Sequence, residues 1–304
     1  MKLEGLIAAP FTPMHADGSL NLGLIPGYYQ FLKKNKVIGA FINGSTGEGV
    51  SLTFEEKKQT AEAWAKAAAG DQDFKVITLV GGTSISEAKT LAAHAEEIGL
   101  FGTAYTAPSY FKPGNAGTLA KCCEEVAGAA PNTPFYYYHI PVLTGSPVMM
   151  IDLLKEVDGK IPNFAGIKYT HEDFMDFLSC MNFANRKYDM LWGRDENMLS
   201  ALALGAFGAV GSTYNYAAPL YHALISAFKN NNLEEANSLQ QKSIDMIRLL
   251  GKYGGIATGK VFMKRVGLDC GKFRLPIVNM TDEAYTSFVS DTEQVGLDGF
   301  KSVI

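Results

Sequence analysis

The stretch Phe164-Ala165-Gly166-Ile167-Lys168-Tyr169-Thr170 decides how the chain is read. It follows the turn signal Ile161-Pro162-Asn163 and has the length and apolar character of a short strand, with a lysine in its middle. Removing an ammonium charge from water is costly, so lysine is rarely buried without a partner. A lysine held in apolar surroundings suits neutral-amine chemistry, the form that makes Schiff bases. From this stretch alone two other readings stay open. Lys168 could end the strand with its head group in solvent, or sit in an intramolecular ion pair. Strand alternation puts Gly166, Lys168 and Thr170 on one face and Ala165, Ile167 and Tyr169 on the other.

Working outward, short apolar runs recur at 5–10, 37–42, 75–80, 102–107 and 134–139 before this stretch, and at 189–192 and 207–210 after it. The intervals are too long for hairpins and fit a strand, a loop, a helix and a return. Thr53-Phe54-Glu55-Glu56 reads as a capped helix start leading into the Ala-rich 59–69. The segments 85–97, 117–129, 147–157 and 174–185 also carry helical periodicity. Strand alternating with helix about eight times points to an α/β fold with a parallel sheet, and that number to a (β/α)8 TIM barrel. A doubly wound open sheet is the competing fold, but no dinucleotide fingerprint opens the chain. Strand signals stop near residue 230, and 233–250, 259–266 and 282–289 read as helices. The expected organisation is a catalytic barrel over 1–230 with a C-terminal helical region, 231–304, packed on it.

Composition narrows the function classes. The 304 residues are 47% hydrophobic and 19% charged, which suits one large globular unit that needs neither metal nor disulfides to fold. A net charge of -4 without a basic cluster argues against nucleic acid or acidic membranes as partners. Cys122, Cys123, Cys180 and Cys270 form no CxxC and read as reduced thiols. The first residues lack the apolar run of a signal peptide, and the apolar stretch around 199–210 is broken by Gly205 and Gly208. A cytoplasmic protein is expected. The five histidines show no zinc-type spacing, so no metal site is expected. Gly254-Gly255-Ile256-Ala257-Thr258-Gly259-Lys260 has Walker A spacing, but Val261 stands where Ser or Thr is needed. It also follows a helical pattern, so it reads as a helix-helix loop.

In a barrel, active sites lie at the C-terminal ends of the strands. Lys168 would then point into the cavity. The second strand ends in Gly44-Ser45-Thr46-Gly47-Glu48-Gly49, where hydroxyls and exposed N–H groups can hold an anion such as a carboxylate. The same pattern also occurs in ordinary turns. Of the three tyrosines in the fifth strand, Tyr136 and Tyr137 read as core, while Tyr138 lies nearer the catalytic end and could move a proton. Gly193, Asp195 and Glu196 follow the seventh strand and Ser212 the eighth, a set suited to a polyol. Alone, Asp195-Glu196 would read as a helix start with favourable charges in its first turn.

Gly44-Ser45-Thr46-Gly47-Glu48, Tyr138-x-Ile140-Pro141, Gly166-Ile167-Lys168 and Gly211-Ser212-Thr213 fall in order at strand ends. Together they resemble the N-acetylneuraminate lyase and dihydrodipicolinate synthase family of class I, Schiff-base aldolases, over nearly the whole chain. Within it the chain is similar to the lyase branch, because Leu143 stands where the synthases carry an arginine for a second carboxylate. The resemblance implies an imine on Lys168 and a proton shuttle at Tyr138. It implies that Ser45 and Thr46 bind the carboxylate, and that Thr170, Gly193, Asp195, Glu196 and Ser212 hold the polyol. Tyr110 resembles a tyrosine lent to a neighbouring subunit, although its context departs from the commoner double tyrosine. The implied substrates are sialic acid and pyruvate, the implied assembly a homotetramer built as a dimer of dimers, and no cofactor is called for. The resemblance assigns no role to Arg194. A sister aldolase for another 2-keto-3-deoxy sugar acid, a dihydrodipicolinate synthase and a non-catalytic binding protein are the alternatives.

Overall fold

The structure, a computed structural model, describes residues 2–304. Eight strands, β1 (Gly5–Ala8), β2 (Gly39–Ile42), β3 (Lys75–Leu79), β4 (Gly102–Tyr105), β5 (Phe135–His139), β6 (Phe164–Tyr169), β7 (Asp189–Trp192) and β8 (Gly208–Gly211), pair in sequence order. All are parallel, and β8 returns to β1 with Gly5 opposite Gly208 and Ala8 opposite Gly211, closing the barrel. Closure leaves no edge strand, and with helices outside and side chains filling the interior the strands are buried on both faces and mostly apolar.

A helix follows every strand, including three that periodicity did not reveal: Ile25–Lys34, Met198–Ala203 and Tyr214–Lys229. Their sequences conceal them for physical reasons. Pro26 and Gly27 open the first, where proline is tolerated because that N–H has no helical partner. Pro219 lies inside the third, and Ala217 beside it leaves helical geometry at φ -138°. The apolar run around 199–210 divides into Met198–Ala203 and β8, and no helix among the described residues is long and apolar enough to cross a membrane. The Thr53 cap is as expected: its side chain accepts from Glu56 N at 3.2 Å, and the Glu56 side chain accepts from Thr53 N at 2.8 Å.

Two apolar layers result. An inner cluster, including Ile7, Phe41, Ile77, Ala104, Tyr136, Tyr138, Leu191 and Val210, fills the barrel. An outer one packs strands on helices and contains Ile167 and Tyr169 of β6. Ala165 departs from the simple alternation. It packs against the inner cluster, because the β5–β6 register slips there, pairing Phe135 with Phe164 and Tyr136 with Gly166. C-terminal to the barrel, the helices Leu233–Lys252, Ala257–Arg265 and Asp282–Gln294 follow.

After the bulge, Gly166 lets β6 approach β7 closely: a Cβ there would stand 1.9 Å from the Asp189 carbonyl oxygen. Backbone cannot yield as a side-chain tip can. Gly166→Ala is therefore expected to lower stability by about 2 kcal/mol or more, as a drop in urea midpoint with the m-value unchanged. An unchanged midpoint would show that β6 and β7 can separate without cost.

Candidate active site

The site is assembled from strand ends, starting with β6. Alternation past the bulge turns Lys168 inward, and the side chain is buried. Its ammonium nitrogen lies 4.1 Å from the centre of the Phe41 ring and 4.0 Å from that of Tyr138, whose rings meet edge to face. Burial among these rings pulls the amine down to about 7, against a smaller upward pull from the Asp195 carboxylate. Among the described residues no carboxylate lies within ion-pair distance of it, which removes both the solvent-exposed and the ion-paired readings.

Tyr138 shares this pocket. Burial pushes its phenol up, while the hydroxyls of Ser45 and Thr170 act in the opposite direction. Thr170 continues β6, its N–H donating to the His139 carbonyl at 2.8 Å, and Gly193 N donates likewise to Tyr169 O at 2.8 Å. These bonds hold the ends of β5, β6 and β7 in register. Buried Thr46 and half-buried Ser45 occupy the turn after β2, which closes through Glu48 N donating to Ser45 O at 3.2 Å.

Asp195 is the buried acid of the site. One carboxylate oxygen accepts from Thr213 N at 3.0 Å and from the Thr213 hydroxyl at 2.6 Å, while the other has no partner among the described residues. Burial pushes it up to about 6, with Thr213 pulling it down and Glu196 pushing it up. The carboxylate lies against Gly211, where a Cβ would fall 1.9 Å from Oδ1. Ser212, between Gly211 and Thr213, is half-buried, and its carbonyl accepts from Asn215 Nδ2 at 2.7 Å. Glu196 is placed differently: Arg194 bridges it at 2.8 Å and Glu172 at 2.9 Å.

The structure thus brings together Lys168, Tyr138, Ser45, Thr170, Gly193 and Asp195, with Thr46 beside Ser45, Ser212 beside Thr213, and Glu196 next to Asp195 but held by Arg194. Tyr110 is not among them. It is 80% exposed after β4, its ring edge-on to Phe111 at 5.1 Å. Tyr136 lies lower in the barrel, its hydroxyl 3.3 Å from Asp189 Oδ2, and Tyr137 belongs to the outer layer, so both are core. Sequence reasoning missed two residues, Phe41 and Thr213. Inward alternation along β2 could have signalled Phe41. Nothing local announces that Thr213 fixes Asp195 from 18 residues away.

Set beside known proteins, the chain matches the Dihydrodipicolinate synthetase family over residues 2–295. The N-acetylneuraminate lyase of Gallus gallus is 42% identical over 286 residues, covering 93% of this chain and 92% of that protein. Among solved structures, the Proteus mirabilis N-acetylneuraminate lyase superposes with a TM-score of 0.94 at 38% identity, covering 98% of this chain and 100% of that one. A DHDPS from Cyanidioschyzon merolae, solved with lysine bound, reaches 0.89 at 25% identity over 97% of this chain and 98% of its own.

A buried lysine held at about 7 carries a cost that has a sign. Between that value and the 10.5 of an unfolded lysine, the unfolded chain binds the proton more tightly, so stability rises with pH across that window. Lys168→Met removes the effect. The variant is expected to be more stable than the wild type at pH 7, by about 4 kcal/mol, with the gap closing toward pH 10.5. Denaturant titrations at pH 7 and pH 10 check this, and equal stability at pH 7 would contradict the placement of the amine.

Proposed function

Because the chain belongs to the dihydrodipicolinate synthetase family, we propose that it is an N-acetylneuraminate lyase, a Schiff-base aldolase that reversibly cleaves N-acetylneuraminate to N-acetyl-D-mannosamine and pyruvate. The observation that carries the chemistry is the Lys168 amine, buried between the Phe41 and Tyr138 rings and drawn down to about 7. At neutral pH a large fraction of it is unprotonated and nucleophilic. It attacks the C2 keto carbon, and loss of water leaves a protonated imine. Ser45 and Thr46 receive the substrate carboxylate.

The C3–C4 bond then breaks as the proton leaves the C4 hydroxyl. A phenol pushed up by burial is a poor base by itself, so Tyr138 works as a relay. Its oxygen takes the C4 proton while its own proton passes to the substrate carboxylate. The bond electrons flow into the imine, giving an enamine, and the C4 carbon departs as the aldehyde. Protonation of the enamine and hydrolysis of the imine release pyruvate and restore the amine.

Thr170, Gly193, Asp195, Glu196 and Ser212 hold the polyol. The free oxygen of Asp195 can accept a substrate hydroxyl, because Thr213 occupies only the other. Leu143 is exposed and offers no cation for a second carboxylate, which speaks against a dihydrodipicolinate synthase. The reading includes a barrel over 1–230 with helices 231–304 appended, in a cytoplasmic enzyme. It also includes a homotetramer, a dimer of dimers in which Tyr110 reaches a neighbour's site. Support for association comes from the exposed Tyr110, Phe111, Val142 and Leu143.

Intact mass after mixing with N-acetylneuraminate and borohydride, alongside pyruvate alone, tests the chemistry. A reduced pyruvyl adduct on Lys168 from the sialic acid sample is expected, and none from Lys168→Ala. Adduct from pyruvate but not from sialic acid would keep the lysine and change the substrate. Adduct from neither would remove the aldolase reading.

A further inference from the structure

The turn assigned to the substrate carboxylate carries a carboxylate of its own. Glu48 lies two residues after Thr46 and is buried, with its backbone in the left-handed region at φ +58°. A non-glycine residue persists there only when its surroundings hold it. Its N–H closes the turn on Ser45, so the two residues are mechanically one unit. A buried anion on a turn that is to hold an anion repels the ligand, at low dielectric more strongly than in water.

The compensating charge comes from far along the chain. Lys260, in the helix Ala257–Arg265, reaches Glu48 Oε1 at 2.7 Å, with both side chains buried. Burial draws the Lys260 amine below its ordinary value, opposed chiefly by the Glu48 carboxylate. Its Nζ also donates to Lys272 O at 2.9 Å and lies 4.7 Å from the centre of the Phe273 ring, contacts that likewise favour its ammonium form. Glu48 Oε2 accepts from the Arg274 backbone N–H at 2.9 Å. The Arg274 guanidinium is engaged elsewhere, bidentate on Glu56 at 2.8 and 2.5 Å. Lys260 is thus the cation left to offset Glu48.

We propose that Lys260 is a positioning residue whose charge cancels that of Glu48 and so makes the Ser45–Thr46 turn receptive to a substrate carboxylate. The proposal rests on the reading of that turn and of Lys168 given above. It distinguishes charge balance from simple bracing, because a brace is lost equally from either end of the pair. Under charge balance the two ends have opposite effects: without Lys260 the turn is left net negative, and without the Glu48 charge net positive.

Borohydride trapping of Lys168 as a function of pyruvate concentration reads carboxylate capture, and methyl pyruvate, which lacks the charge, is the control. Lys260→Met is expected to raise half-saturation for pyruvate about tenfold or more, with the limiting trapping rate and the methyl pyruvate response unchanged. Glu48→Gln is expected to tighten pyruvate capture about tenfold, and Glu48→Gln with Lys260→Met to return it to near the wild-type value. If Lys260→Met fails to fold because Glu48 is left unpaired, the other two variants decide: Glu48→Gln should capture pyruvate about tenfold more tightly than the double variant. Equal weakening by both single changes, or equal capture by the last two variants, overturns the proposal. A wild type that traps pyruvate normally while Lys260→Met does the same overturns it too. A wild type that traps none overturns the aldolase reading on which it rests.

Discussion

An amine buried without a counter-charge is the constraint on which the rest depends. The Lys168 nitrogen rests on two aromatic rings, with burial drawing it to about 7. Such a placement is unfavourable for folding, and an open or mobile scaffold would relieve it by letting water or a carboxylate reach the nitrogen. A closed eight-strand barrel does not relax in that way. Its strand ends are tied to each other by backbone bonds such as Thr170 to His139 and Gly193 to Tyr169, so the destabilised amine stays where it is.

Two buried carboxylates, Asp195 and Glu48, are handled differently. Asp195 is satisfied on one oxygen by Thr213, while the other lies buried against Gly211 without a hydrogen-bond partner among the described residues. Had it paired directly with Lys168, the amine would have stayed charged and unreactive. Glu48 is closed off on both oxygens, by Lys260 on one and the Arg274 N–H on the other. One carboxylate keeps an unpartnered oxygen, the other has none.

The C-terminal helices take part in both arrangements. Thr213, which holds Asp195, hydrogen-bonds Tyr221 at 2.7 Å, and Tyr221 meets Ser243 of the helix Leu233–Lys252 at 2.7 Å. Gln240 of the same helix donates to the Asp195 carbonyl at 3.2 Å. Lys260 of the helix Ala257–Arg265 reaches the turn after β2 through Glu48. A buried hydroxyl chain of this kind is stable only when each member is satisfied, which ties the helical region to the Asp195 side of the site.

By itself the sequence determined the periodic and the local. Eight apolar runs at crossover spacing specify a barrel, because a parallel strand needs a helix to return and each run must be buried on both faces. Lys168 and Tyr138 were legible because strand alternation and strand-end position follow from backbone geometry alone. The helix Ile25–Lys34 was hidden by Pro26 and Gly27, whose helix-breaking signal is overridden at a first turn. The inward placement of Ala165 was hidden by a one-residue register slip that depends on the partner strand. The tertiary structure alone decided which charges meet. Thr213 on Asp195, Arg194 between Glu172 and Glu196, and Lys260 on Glu48 are pairings across loops and helices. A side chain's ionisation and orientation depend on what the folded chain places within a few ångströms of it, and sequence separation carries no record of that distance.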